Sequence, residues 1–176
     1  MNFRHSSFLF GLLAALLVCA SPATPAPENL LGDVIDALGI GLVTSISVII
    51  TLESLTTNLV TISFGVQNPL PFELTIDKIT TSAGLNGTEF ASFAHTFATP
   101  VVVPPFGGAS SGNISNVLLT QGADASLAII PFGVLDLLNV DADVRALSIS
   151  GHGGIPLAID GLHQSSVPTK YTLSLG

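Results

Sequence analysis

The chain has 176 residues, of which 48% are hydrophobic and only 9% are charged, and its formal net charge is −8. Nucleic acids and anionic membrane surfaces are bound through Lys and Arg, and 4 such residues against 12 acidic ones argue against both classes of partner. The length is that of one ordinary domain. The single cysteine excludes an intramolecular disulfide and makes a zinc site improbable.

The first 20 residues have the pattern of a secretory signal peptide. Arg4 supplies the positive start, residues 8–18 the apolar segment, and Ala20 the small residue before cleavage. The apolar run is shorter than the ~20 residues that span a bilayer, so a transmembrane anchor is the weaker alternative. Cleavage would remove Cys19 and leave an extracellular chain without a transmembrane segment. A flexible Pro/Ala leader is predicted at residues 21–28.

Residues 29–176 are predicted to form a single domain that begins with a short helix. Asn29 can cap this helix and Gly39 can end it. One face carries apolar residues at helical spacing, namely Leu30, Leu31, Val34, Ile35 and Leu38. After Gly41 the apolar period changes to two residues, which indicates strands with one buried face.

The stretch from Val60 to Gly84 predicts a strand, a proline-containing corner and a second strand. Pro69 and Pro71 cannot donate to a sheet and should lie in an exposed connection. Asn68 should be partly buried, where its side-chain amide can satisfy backbone groups of the turn. The alternation slips after Ile76, at residues 77–79, which indicates a β-bulge.

Short apolar runs predict the remaining strands. These runs are 91–97, 101–103, 117–119, 127–130, 140–146, 155–159 and 171–175, and one helical turn is predicted at 133–139. Seven to eight short strands separated by turn signals predict an all-β fold, an antiparallel β-sandwich of the fibronectin type III or immunoglobulin kind. The alternative is an up-and-down β-barrel.

Residues 108–112 (GASSG) match the string around the nucleophile of serine hydrolases, with Ser110 in the serine position. Candidate partners follow in the order acid, then histidine: Asp136, Asp141 and Asp160, then His152 and His163. That mechanism needs a strained strand-to-helix turn, and no helix of useful length is predicted here. A chance match is therefore favoured, an esterase is a remote alternative, and no catalytic residue is assigned.

Other polar residues also have structural interpretations. His95 alternates with phenylalanines and is predicted to be a core or half-buried histidine. Asp141 and Asp143 share a solvent face without a third acidic ligand nearby, so no metal site and no cofactor are predicted. Asn86 and Asn113 begin glycosylation sequons, and glycans there would add hydration to a weakly charged surface.

The phenylalanines offer the one candidate ligand site. If the apolar excess lines a pocket rather than filling the core, its contacts would be Phe90, Phe93, Phe97, Phe106 and Phe132. Filling of the core is the favoured interpretation. A pocket of at least ~300 Å³ is the size expected for a carrier of a lipid or other apolar ligand.

The corner at residues 68–76 (NPLPFELTI) resembles the late embryogenesis abundant type 2 (LEA-2) family and its water-stress-and-hypersensitive-response (WHy) domain. Residues 160–169 are also similar to small secreted fungal proteins with such domains, and the resemblance covers roughly residues 43–175. It implies a sandwich without an active site and a role in stress protection. The leading prediction is therefore a secreted, non-enzymatic protein that acts at the cell surface or wall in stress protection or partner binding. A carrier of an apolar ligand is the alternative.

Overall fold

A computed structural model describes residues 42–174, so the predicted signal, leader and N-terminal helix lie outside the described residues. The described part contains eight strands, two short helices and one 3₁₀ turn. The strands are β1 (Val43–Thr51), β2 (Leu59–Gln67), β3 (Leu74–Leu85), β4 (Thr88–Val103), β5 (Gly108–Ser110), β6 (Ile114–Leu119), β7 (Val134–Ala146) and β8 (Ile155–Ser174). The helices are α1 (Ser54–Thr57) and α2 (Gly122–Leu127), and the 3₁₀ turn is Ile130–Phe132.

Seven of the strands close into a barrel, so the predicted β-sandwich is wrong. Their order around the barrel is β1, β8, β7, β3, β4, β6 and β2, and β2 pairs again with β1. Ile46 of β1 pairs with Phe64 on one side and with Thr169 on the other. A sandwich leaves edge strands on both sheets, whereas here β1 has a partner on each side. The eighth strand, β5, lies outside the ring against the end of β2.

The barrel also differs from the up-and-down alternative. In that arrangement each strand pairs with its neighbours in the chain, but here β3 lies between β4 and β7, and β2 lies between β1 and β6. The β1–β8 pairing is parallel, while the other pairings are antiparallel. Closure therefore depends on a contact between the first and last strands.

Two local predictions fail next to each other in the chain. The run 127–130, predicted as a strand, contains the end of α2 and the start of the 3₁₀ turn, and residues 133–139, predicted as helical, belong largely to β7. Short apolar runs do not distinguish a buried strand from a buried helical turn. The bulge is confirmed, because the register of β3 shifts between Ile76 and Lys78 against both of its neighbours.

The corner after β2 is organised by Asn68, whose side chain is buried at 1% exposure. Its Nδ2 donates to the carbonyls of Phe72 at 2.7 Å, Pro104 at 3.2 Å and Val103 at 3.3 Å. Its Oδ1 accepts from the backbone N–H of Leu70 at 3.0 Å. One side chain therefore joins the β2–β3 corner to the end of β4.

Candidate functional site

The strands of the ring surround an apolar cavity of about 70 Å³, here called the helix-side cavity. All seven strands of the ring and the segment around α2 contribute to its wall. The lining residues include Val48, Ile62, Ile79, Phe90, Phe93, Val117, Ala123, Leu137 and Tyr171. The alternation of the strands explains this wall, since every second side chain of a barrel strand points inward.

Helix α2 contributes one of its faces to the wall of the helix-side cavity. Ala123, Ser126 and Leu127 lie three and four residues apart, share one face of the helix and line the cavity. The first turn lacks a capping side chain of its own, and Asn58 supplies one from the end of α1, where its Oδ1 accepts from the N–H of Ala123 at 2.8 Å. Gly122, at φ +80°, begins the helix in a conformation that favours glycine.

The helix-side cavity has no charged residue among its lining side chains. Two of its hydroxyls are already bonded, since Thr81 donates to the carbonyl of Asn139 and Ser126 to that of Gly122, both at 2.8 Å. The hydroxyl of Tyr171 is buried and has no hydrogen-bond partner among residues 42–174. Burial raises the pKa of Tyr171 to about 12, so the phenol stays neutral.

A second cavity of about 50 Å³ lies toward the Asn68 corner and is here called the corner-side cavity. Val43, Phe64, Ile79 and Val140 line both cavities and therefore lie between them. Each cavity is well below the ~300 Å³ of a typical ligand pocket. Since an apolar cavity of ~150 Å³ binds benzene, which has six non-hydrogen atoms, the helix-side cavity has room for roughly three or four such atoms.

The five predicted ligand phenylalanines separate into three groups. Phe90 and Phe93 line the helix-side cavity. Phe97 is buried but lines neither cavity, and its ring meets the ring of His95 edge-on at 4.8 Å. Phe106 and Phe132 are 68% and 61% exposed, so they lie outside the barrel interior.

The residues of the remote esterase hypothesis do not form a hydrogen-bonded triad within residues 42–174. Ser110 is exposed on β5, where its Oγ accepts from the N–H of Gly112 at 3.3 Å. His163 lies on β8, which two intervening strands separate from β5, a distance of ~14 Å at ~4.8 Å per strand. His152 lies in the β7–β8 hairpin, where its backbone pairs with Ile149.

The other candidate polar residues have structural partners. Asp141 accepts from the side chain of Asn139 and from the N–H of Gly161, both at 2.8 Å, and Asp143 is exposed. Within residues 42–174, no group of three or more His, Cys, Asp or Glu side chains could hold a metal ion. The sequon residues Asn86 and Asn113 are both exposed, in the β3–β4 turn and between β5 and β6.

A polar cluster at the opposite end from α2 holds the β7–β8 hairpin. Arg145 makes two parallel hydrogen bonds to Asp77, at 2.7 and 2.8 Å, and donates to the carbonyls of Gly151 and Gly153. Hydrogen bonding to Asp77 raises the pKa of Arg145. Glu73 accepts from the N–H groups of Gly151 and Ser150, and the Gly151 bond contributes most to lowering the pKa of Glu73. These contacts stabilise the hairpin, and the guanidinium of Arg145 donates its hydrogen bonds within this cluster.

Tyr171 is the site residue that sequence reasoning missed, because it was interpreted only as part of the last strand. Its position two residues after Thr169 and four after Val167, both buried, indicates the inward face of β8. It is also the only tyrosine of the chain. A single tyrosine hydroxyl on an inward apolar face is the feature of the sequence that could have identified this site residue.

Comparison with known proteins gives little beyond this geometry. No protein-family model matches the chain, and no curated protein matches it significantly. One solved structure, described as a protein from Archaeoglobus fulgidus, is 12% identical, with 61% of this chain and 84% of that chain covered and a TM-score of 0.26. The LEA-2 resemblance stays a prediction. Neither helix of residues 42–174 has the length and apolar character that crossing a membrane requires.

Proposed function

We propose that this protein is a non-enzymatic binder of a small, uncharged, apolar ligand held inside the barrel beneath α2. The observation that carries the proposal is the helix-side cavity, whose wall is apolar apart from three hydroxyls. Unfilled apolar space inside a protein costs stability, because the lining atoms lose contacts that a tightly packed core would provide. A ligand that fills the space restores those contacts without burying a charge.

The volume of the cavity limits the size of the ligand that the protein could carry. At about 70 Å³ the cavity accepts a compact molecule but not a lipid chain, which needs several times that volume. The corner-side cavity does not extend the site, because Phe64, Ile79 and two valines lie between the two spaces. We therefore propose that the ligand is a compact apolar molecule of the size of a volatile organic compound.

Calorimetric titration of the purified protein with 2-methylpropane, a four-carbon probe, tests this proposal. Ala123→Leu adds three carbons at a buried position of the cavity wall and should abolish binding. Ala94→Leu adds the same carbons at an exposed position of β4 and should leave binding unchanged. Binding that survives Ala123→Leu, or no binding to the parent protein, would refute a ligand site in this cavity.

We further propose that the protein acts outside the cell, at the surface or wall, and contributes there to stress protection. The signal pattern of residues 1–20 and the LEA-2 resemblance of residues 43–175 support this proposal. Mass spectrometry of the N-terminal peptide tests it in the native source. A chain that begins at Ser21 in the medium or wall fraction is expected, and an intracellular chain that retains Met1 contradicts it.

A further inference from the structure

Tyr171 is the polar group of the helix-side cavity that is free to bond a ligand. It lies on β8 opposite Val48 of β1, and both residues line the cavity. Its hydroxyl is buried and lacks a hydrogen-bond partner within the described part of the chain. A buried hydroxyl without a partner is unfavourable, and natural proteins retain such groups rarely.

The other two hydroxyls of the lining cannot replace it. Thr81 and Ser126 donate their hydrogens to backbone carbonyls, so each retains only acceptor capacity. Among the lining side chains, Tyr171 alone has an uncommitted O–H donor. A ligand carbonyl placed in this cavity therefore has one side chain from which to accept a hydrogen bond.

We infer that the ligand carries one neutral oxygen, a carbonyl or a hydroxyl, on a compact apolar body, and that Tyr171 recognises that oxygen. This inference rests on the proposed function. A pure hydrocarbon would fill the cavity but leave the tyrosine hydroxyl unpaired. A carboxylate would lose its hydration with no cationic side chain in the lining to compensate it.

Water competes with such a ligand for the tyrosine hydroxyl. A buried water makes about three hydrogen bonds, but it leaves most of the apolar wall without contacts. An organic ketone or alcohol needs only one such bond and fills the remaining space with carbon. The phenol is a stable donor at neutral pH, because burial raises the pKa of Tyr171 to about 12.

The test uses matched probes of four non-hydrogen atoms. Acetone and 2-propanol carry one oxygen, 2-methylpropane carries none, and acetate is charged. Each is titrated calorimetrically into the parent protein and into Tyr171→Phe, which removes the hydroxyl and keeps the ring. In the parent protein we expect the ketone to bind about three- to tenfold more tightly than 2-methylpropane, the range given by one neutral hydrogen bond, and acetate not to bind.

In Tyr171→Phe the ketone and the hydrocarbon should bind with affinities within about twofold of each other. The inference would be overturned if the parent protein bound the ketone and the hydrocarbon equally tightly, or if the preference for the ketone survived in Tyr171→Phe. Either result would leave the proposed function intact. If none of the probes binds the parent protein, the proposed function fails as well.

A spectroscopic measurement on the parent protein does not depend on the folding of the variant. The chain has one tyrosine and no tryptophan, so the longest-wavelength band of its near-ultraviolet absorbance reports on Tyr171 alone. Hydrogen bonding to 2-propanol, which is transparent there, should shift this band to longer wavelength, whereas 2-methylpropane at the same occupancy should not. Equal spectra with the two ligands bound would contradict recognition by the hydroxyl.

Discussion

Replacement of Asn68 by alanine should destabilise the barrel without altering ligand binding. The substitution removes an Nδ2 donor group shared by three carbonyls and an Oδ1 acceptor for the N–H of Leu70. The bonds to Phe72 at 2.7 Å and Leu70 at 3.0 Å are the two shortest. Each contributes about 1 kcal/mol net, and the backbone groups left unpaired in a site 1% exposed to solvent raise the total to about 2–3 kcal/mol.

Chemical denaturation measures this difference in the free energy of unfolding, provided that parent and variant show the same dependence of that energy on denaturant concentration. Asn113→Ala, at an exposed loop position, is the matched control and should change stability by less than ~0.5 kcal/mol. Asn68→Asp sharpens the test, because an ionised carboxylate would face three carbonyl oxygens. It should be more harmful than alanine at neutral pH and recover as the pH falls and the carboxyl is protonated. An Asn68→Ala protein as stable as its parent would refute the role assigned to this corner.

Three further outcomes are expected. Phe64→Ala, which joins the two cavities, should cost about 3–5 kcal/mol in denaturation and allow ligands larger than four non-hydrogen atoms to bind; a harmless substitution would show that Phe64 does not separate them. The pKa of Glu73 is lowered in the folded protein. Its carboxylate therefore stabilises the fold above the ordinary pKa of 4.5, and this stabilisation is lost as the pH falls below that value. The melting temperature should therefore drop more steeply there than in Glu73→Gln, and parallel profiles would contradict this. Tyr171 has a raised pKa, so stability should be full below pH 10 and fall toward pH 12, and native absorbance titration should give a midpoint near 12 rather than 10.

The sequence was most informative where the reason for a structure is local. Alternation places Val60, Ile62 and Phe64 on one face of β2, and all three are buried. The bulge after Ile76 is visible as a slip of the same alternation. The corner at Asn68 could be predicted because proline has no backbone N–H to donate to a sheet. An asparagine amide can also form hydrogen bonds with backbone groups close to it in the chain.

Closure of the barrel depends on contacts that no local pattern encodes. Ile46 and Thr169 pair in parallel although more than 100 residues separate them in the chain. The alternation of β1 and β8 is the same whether their edges are paired or open, so it fits a sandwich and a barrel equally well. Helix α2 was missed for a related reason, since its six residues are too few to establish a helical period.

Closure also determines what kind of site the protein can have. In an open sandwich, an inward hydroxyl near the end of the last strand would lie close to a solvated edge and could find water. Pairing of β8 with β1 instead brings Tyr171 next to the buried Val48, and both line the cavity together with residues of α2. The hydroxyl of this lining residue is thereby buried, with no partner among the described residues. An apolar cavity alone would select ligands only by size, whereas one unpaired donor in its wall adds selection for a single neutral oxygen.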